Sequence, residues 1–505
     1  MQRKLKIYYT SDIHGCFSPV DYASGARTAS GLANCASNFT RDENMLIIDG
    51  GDTLQGSPFT YWLYSKRRGG ECVPARIMNL AGYNFVTLGN HDFNYGKAEI
   101  ERYLAELNAK CLCANVEGIK GVEKTALVTL GNGLKVGLTG VTSHFVTLWE
   151  KPENLAGIQV SDAFLAAKAA LSELEAMGAE LTICIYHGGY ENDVSSGAPL
   201  SATGENQGWR MCQELGYDIL LCGHQHMAAE NLRIGGTYTC QPPDKARQYI
   251  ELDAAVDEDG KISARSTLRE TGAVTAPALW DYLAPLERET AQWLDVPVGH
   301  LDTALLPNEH VQMAAQGSLI ANFFNQVQLE ASGADISCTS LGNTVKGFEK
   351  DVSIRDIVST YVFPNTLKVL RIKRAGLKAA LERSMEYFTV TPEGVLTVSD
   401  SFLRPIEQHF NYDYISGVKV TADLRKPCGE RVLSIKYKGE ELAEDKELSI
   451  CLNNYRATGA GGYEVYAGCE LMREIPTEIA ELIIDYVTRH GDITVDKTKW
   501  LDIIY

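Results

Sequence analysis

Five short apolar runs in this chain end alike, each releasing an Asp, Asn or His beside a glycine where a strand should stop. KIYYT runs into SDIHG, with Asp12 and His14; MLIID runs into GGD, with Asp52; NFVTLG runs into NHD, with Asn90, His91 and Asp92. LTICIY delivers His187 before two glycines, and DILLCG delivers His224 and His226. Glycine allows a sharp turn and a close approach of backbone to ligand. In open α/β sheets, ligands collect outside the carboxyl ends of the strands, so the five ends are expected to meet at one place. Asp12 and His14 lie two positions apart, and strand alternation would project them from the same face.

Each motif alone has an ordinary explanation. GNHD can be an Asx turn, His187 a satisfied core histidine and Lys346 a solvated charge. Seven potential donors at five strand ends are harder to explain separately. One ion needs about four to six donors, so Asp12, His14, Asp52, Asn90, His187, His224 and His226 suit two ions sharing one carboxylate. The donors are imidazole, carboxylate and amide without thiolate, which leaves Mn, Zn, Fe and Co all suitable. Such a pair, about 3.5–4 Å apart, would activate a water and clamp phosphoryl oxygens for in-line attack.

The charge balance agrees with a local positive centre. With 47 basic against 65 acidic residues, the formal charge is −18, which argues against binding a nucleic-acid polymer through a broad basic surface. Thirteen cysteines occur without a C-x-x-C pair, several inside apolar runs such as LTICIY, where a reduced thiol serves as a small hydrophobe. The chain enters a strand within a few residues of Met1, and no run of ~18 apolar residues marks a membrane span. The expectation is a soluble, cytoplasmic protein with no membrane partner.

At 505 residues the chain exceeds what one core usually serves. Up to about residue 250, apolar runs alternate with helical stretches such as DAFLAAKAALSELEAMG, the pattern of a layered α/β domain with sheets flanked by helices. YTCQPP and QYIELDAAVDEDGKI read as its closing strands. The expected organisation is an α/β domain over 1–276, a linker helix over 277–300 and an α+β domain over 301–505. The last contains a long helix, AAQGSLIANFFNQVQLEASG, and a strand-helix unit, TLKVLRIKRAGLKAALERSMEYF.

The ordered motifs DIHG, GDTLQG, GNHDF, HGG and GHQH resemble the calcineurin-like metallophosphoesterases, and the second half resembles the C-terminal domain of the 5′-nucleotidase family. GDTLQGSP, NHDFNYG, YVFPNTLKVL and LNNYRATGAGG are most similar to the bifunctional 2′,3′-cyclic-nucleotide 2′-phosphodiesterase/3′-nucleotidases. The resemblance implies that Asp12, His14, Asp52 and His226 hold one ion, with Asp52 bridging to a second held by Asn90, His187 and His224. It makes His91 the candidate to stabilise charge or protonate the leaving oxygen, with Asp92 orienting its ring.

The family resemblance also places an aromatic clamp for a nucleobase in HFNYDYISG and NNYRATGAGGY: Tyr455 on one face and either Phe410 or Tyr412 on the other. Two departures stand out. Where 5′-nucleotidases carry N-G-G-x-I-R, this chain reads TSLGNTVKGF, with Asn343 and Lys346 as candidate substrate contacts; where they carry G-G-D-G-Y, it has Gly461. Both favour the cyclic-nucleotide branch. The expected activity is opening of 2′,3′-cyclic nucleotides and removal of the resulting 3′-phosphate, with the second domain swinging a small nucleotide to the metals. The alternatives are a 5′-nucleotidase, a nucleotide-sugar pyrophosphatase, a phosphoprotein phosphatase or a catalytically idle nucleotide-binding protein.

Overall fold

The apolar runs of the first half become strands because β-branched and aromatic side chains fit a pleated surface buried on both faces. In a computed structural model describing residues 2–67, 69–200, 204–363, 365–404 and 407–505, they fall into two sheets. Arg3–Thr10, Met45–Asp49 and Phe85–Val86 run parallel in a sheet of seven strands among the described residues. The antiparallel hairpin Gln248–Val256 and Ile262–Glu270 closes its edge. Lys135–Thr142, Leu181–His187, Ile219–Cys222 and Thr237–Gln241 run parallel in a second sheet of six.

The sheets face one another. Ile7, Tyr9, Ile48 and Phe85 from the first share a buried cluster with Val136, Leu138, Ile183, Ile185 and Leu221 from the second. The alternate residues Cys184, Tyr186, Leu220 and Cys222 turn to the opposite side, where Ala167, Leu171 and Met211 belong to the helices Ala163–Ala176 and Gly208–Glu214. Each strand is thus covered twice, which is why LTICIY shows no polar alternation. All thirteen cysteines are free thiols and ten are buried, in keeping with their role as small hydrophobes.

The chain divides into Met1–Asp21 with Gly25–Ala291, and Tyr22–Ser24 with Gln292–Tyr505. The helix expected over 277–300 spans Pro277–Leu294, and the first unit runs through most of it. The stretch after it is no linker: Pro297–Leu301 is a strand, paired antiparallel to Asp351–Ser353 and parallel to Asp492–Ile493. The second unit is built on a five-stranded sheet, ordered Tyr414–Ser416, Ile336–Thr339, Glu447–Asn453, Leu367–Lys373 and Glu470–Ile475.

The long helix expected at the start of the second unit breaks at Gly317 (φ 97°) into His310–Gln316 and Leu319–Ser332. Ser318 caps the second piece by accepting the Ala321 N–H. Among the described residues no helix is long and apolar enough to cross a membrane.

Candidate metal centre

The strand ends meet through turns rather than through strand alternation. Arg3–Thr10 stops before Asp12, and both Asp12 (φ 56°) and His14 (φ 50°) are left-handed, so their convergence does not come from the pleat. The Asp12 N–H donates to the Gly51 carbonyl at 2.9 Å and the His14 N–H to the Asp52 carbonyl at 2.8 Å, lacing the first loop to the second. Asp52, His224 and His226 also have positive φ, so five of the seven expected ligands occupy a backbone region costly for non-glycine residues, at roughly 1–3 kcal/mol each. Strain concentrated on one cluster of polar side chains marks a functional site.

Two triads result, Asp12 with His14 and His226, and Asp52 with His187 and His224; within each, the candidate ligand atoms lie within 4.8 Å of one another. Asp52 connects them. Its Oδ1 accepts the His91 N–H at 2.7 Å, while its Oδ2 stands 3.2 Å from His187 Nε2 and 3.8 Å from His14 Nε2. Asn90 joins the second triad, with Oδ1 3.1 Å from His187 Nε2. His226 Nε2 is 3.0 Å from His14 Nε2 and 3.5 Å from Asp12 Oδ1.

The tautomers suit cations. His14 Nδ1 donates to the Gln55 carbonyl at 3.0 Å and His187 Nδ1 to the Gly50 carbonyl at 2.7 Å, which directs each Nε2 into the cluster. Burial drives the His14 pKa down to about 4, keeping its ring neutral and ready to ligate. Burial also opposes charge on His187, but the Asp52 and Asp12 carboxylates outweigh it and raise its pKa to about 10. For Asp12 and Asp52, burial favours the neutral acid, yet His226 and His187 respectively hold them well below the usual carboxylate range. Two pre-ionised carboxylates, an amide oxygen and oriented imidazoles fit a pair of divalent cations.

His91 is buried beside this cluster, its ring 5.3 Å from that of His14. The expectation that Asp92 orients it is corrected. Asp92 accepts four backbone N–H bonds, from Asp52, Thr53, Leu54 and Gly89 at 2.8–2.9 Å, which fills its oxygens and ties the third strand's loop to the second's. Burial and the Asp52 charge push its pKa up to about 6 against those bonds. The ring partner is Asn94, whose Oδ1 lies 2.8 Å from His91 Nδ1 and whose Nδ2 donates to Glu150.

Two further supports went unread in the sequence. His224 Nε2 lies 2.9 Å from Glu205 Oε1, and buried Asp244, paired with Arg247, faces His226 Nδ1 at 3.8 Å. Glu205 follows Gly204 in a stretch with no strand, and Asp244 follows the end of the strand Thr237–Gln241 with no glycine beside it, so neither repeats the full strand-end pattern. The one available signal was that ligating histidines recruit carboxylates for their second nitrogen.

The candidate substrate residues of the second unit separate. Tyr412 is buried among Tyr387, Phe388 and Tyr414, with its hydroxyl donated to the Ala314 carbonyl at 3.1 Å, so it is core rather than clamp. Phe410 is half-buried and Tyr455 is 46% exposed. Asn343 braces a loop, accepting the His409 N–H at 3.0 Å and donating to the Glu407 carbonyl at 2.7 Å. Lys346 is exposed, its Nζ 3.4 Å from Asp356.

Residues 5–228 match the calcineurin-like phosphoesterase family and residues 297–468 the 5′-nucleotidase C-terminal domain. A Staphylococcus aureus structure, provisionally named a 5′-nucleotidase, is 31% identical with a TM-score of 0.71, over 100% of both chains. The chain belongs to the 5′-nucleotidase family of calcineurin-like phosphoesterases. It is a metal-dependent phosphoesterase that takes two divalent cations, which supply Lewis acidity and an activated water when bound. The 2′,3′-cyclic-nucleotide 2′-phosphodiesterase/3′-nucleotidase of Haemophilus influenzae is 25% identical over 96% of this chain and 84% of its own length. The trifunctional nucleotide phosphoesterase YfkN of Bacillus subtilis is 24% identical over 96% of this chain, which spans 38% of YfkN.

Proposed function

We propose that this phosphoesterase opens 2′,3′-cyclic nucleotides to 3′-nucleotides and then removes the 3′-phosphate. In the first step water adds to phosphorus, the P–O2′ bond breaks and O2′ takes up a proton; in the second another water adds to phosphorus, the P–O3′ bond breaks and O3′ takes up a proton, releasing nucleoside and phosphate. Asp12, His14, Asp52 and His226 hold one cation, and Asp52, Asn90, His187 and His224 the other. The observation that carries this reading is Asp52 Oδ2 standing between His187 Nε2 and His14 Nε2, which suits a shared carboxylate. His91, held through Nδ1 by Asn94, keeps Nε2 to deliver a proton to the departing oxygen.

The substrate class draws on the Haemophilus relative and on the two departures from the 5′-nucleotidase pattern, at 339–348 and at Gly461. Phe410 and Tyr455 are the rings that would hold the base. The Staphylococcus relative favours a second reading, 5′-nucleotidase activity. Assaying 2′,3′-cAMP, 3′-AMP, 5′-AMP and UDP-glucose side by side decides between them. Fastest turnover of the first two is expected; 5′-AMP as the best substrate would replace the reading, and no turnover at all would leave a binding protein.

A further inference from the structure

Arg456 is among the largest fully buried side chains of the described residues, 1% exposed, although its guanidinium stays charged at any working pH. Nε donates to Asp413 Oδ1 at 2.9 Å, Nη1 to the Ala460 carbonyl at 2.6 Å and to Asn411 Oδ1 at 3.4 Å, and Nη2 to the Phe410 carbonyl at 3.0 Å. Its Cζ lies 4.3 Å from the centre of the Tyr463 ring. The Tyr463 hydroxyl donates to the Asn411 carbonyl at 3.1 Å and accepts the Asp413 N–H at 3.2 Å. One side chain therefore stitches the loop 409–413 to the loop 453–463.

Those loops carry the two accessible rings. Phe410 offers its carbonyl to the guanidinium, and the Tyr455 ring centre lies 5.8 Å from Cζ. The same guanidinium accounts for Gly461. That residue sits at φ 74°, and a Cβ there would come within 2.1 Å of Arg456 Nη1 and 2.3 Å of Asn411 Oδ1. Where the 5′-nucleotidase loop carries an Asp, this chain has exchanged a side chain for space that Arg456 fills.

A need for stability alone does not explain the arrangement, because well-packed apolar residues commonly replace a buried ion pair without loss. What an apolar pair cannot do is fix two backbone carbonyls at a set separation through a rigid fork of donors. We propose that Arg456 is a positioning residue that sets the gap between Phe410 and Tyr455 and so determines how tightly the enzyme grips a nucleobase. The proposal rests on reading those two rings as the base site.

Two variants test it. Arg456→Lys keeps a charge for Asp413 but loses the fork; Gly461→Ala drives a methyl group into the guanidinium. KM and kcat are measured for 3′-AMP and for ribose 3-phosphate, the same phosphoester without its base. The expected result is a KM for 3′-AMP raised about ten-fold or more in either variant that folds, by loss of ring stacking, with kcat within two-fold and ribose 3-phosphate kinetics unchanged. A wild-type KM for 3′-AMP in the variants, or an equal rise for both substrates, overturns the proposal. A wild-type enzyme that takes both substrates with the same KM instead removes the base-site reading, and the proposal falls with it.

Discussion

His91 Nδ1 lies 2.8 Å from Asn94 Oδ1, and the Asn94 amide nitrogen is itself held by Glu150. Because a carboxylate only accepts, the amide must turn its NH2 to Glu150 and its oxygen to the ring, which fixes one N–H on Nδ1 and leaves Nε2 to carry the second proton, the one given to the departing oxygen. Asn94→Ala frees both tautomer and ring. Steady-state kinetics should show kcat down about 10- to 100-fold with KM nearly unchanged. An unchanged kcat would detach Asn94 from His91 function.

Gly89 lies against the shared carboxylate. A Cβ at this position would stand 2.2 Å from Asp52 Oδ1 and 2.6 Å from His187 Cε1. Gly89→Ala should therefore displace Asp52 from its triad and from His14, lowering kcat/KM by at least ~100-fold and reducing metal content while far-UV circular dichroism is retained. Full metal content with full activity would show that the Asp52 carboxylate does not hold the ions.

Glu205 acts on one triad alone, through Nε2 of His224. Replacing its carboxylate by the amide in Glu205→Gln should weaken one of the two divalent ions by about 10- to 100-fold and leave the other in place. Chelator competition with Mn2+ would read this as two distinct affinities where the wild type shows tighter binding. Equal weakening at both sites would refute an effect confined to His224.

Asp49 carries the pH prediction. It is fully buried and neutral-favouring: burial raises its pKa to about 7, although Thr10, Thr53 and the Gly51 N–H pull the other way. An acid whose folded pKa lies above its unfolded value contributes fully at low pH, and loses that contribution as pH rises toward the folded value. Between about pH 4 and 7 the wild type should thus lose stability relative to Asp49→Asn, on the order of a few kcal/mol by pH 8. Thermal melts of the pair from pH 5 to 8 should diverge with pH; a constant difference would contradict the linkage.

How much of this was legible in the sequence varied with how local each cause was. The ligand motifs are local, since each sits where one strand ends, and Asp12, His14, Asp52, Asn90, His187, His224 and His226 all reach the cluster. The geometry is less readable: strand alternation would by itself pair Asp12 with His14, whereas left-handed turns do it. Asp92 looked like the partner of its neighbour, but its orientation is set by N–H groups forty residues away in sequence. Glu205 and Asp244 reach their histidines, and Glu150 reaches Asn94, through tertiary folding alone. Tyr412 and Phe410 are two positions apart, and only the packing of Tyr387 and Phe388 shows which is interior.

The most direct test of the central claim is elemental analysis of the purified protein, coupled to a chelation and add-back assay. Two divalent ions per chain are predicted, with turnover lost on their removal and restored on their return, and about one ion in His14→Ala. Fewer than one ion per chain together with chelator-resistant hydrolysis would contradict the account.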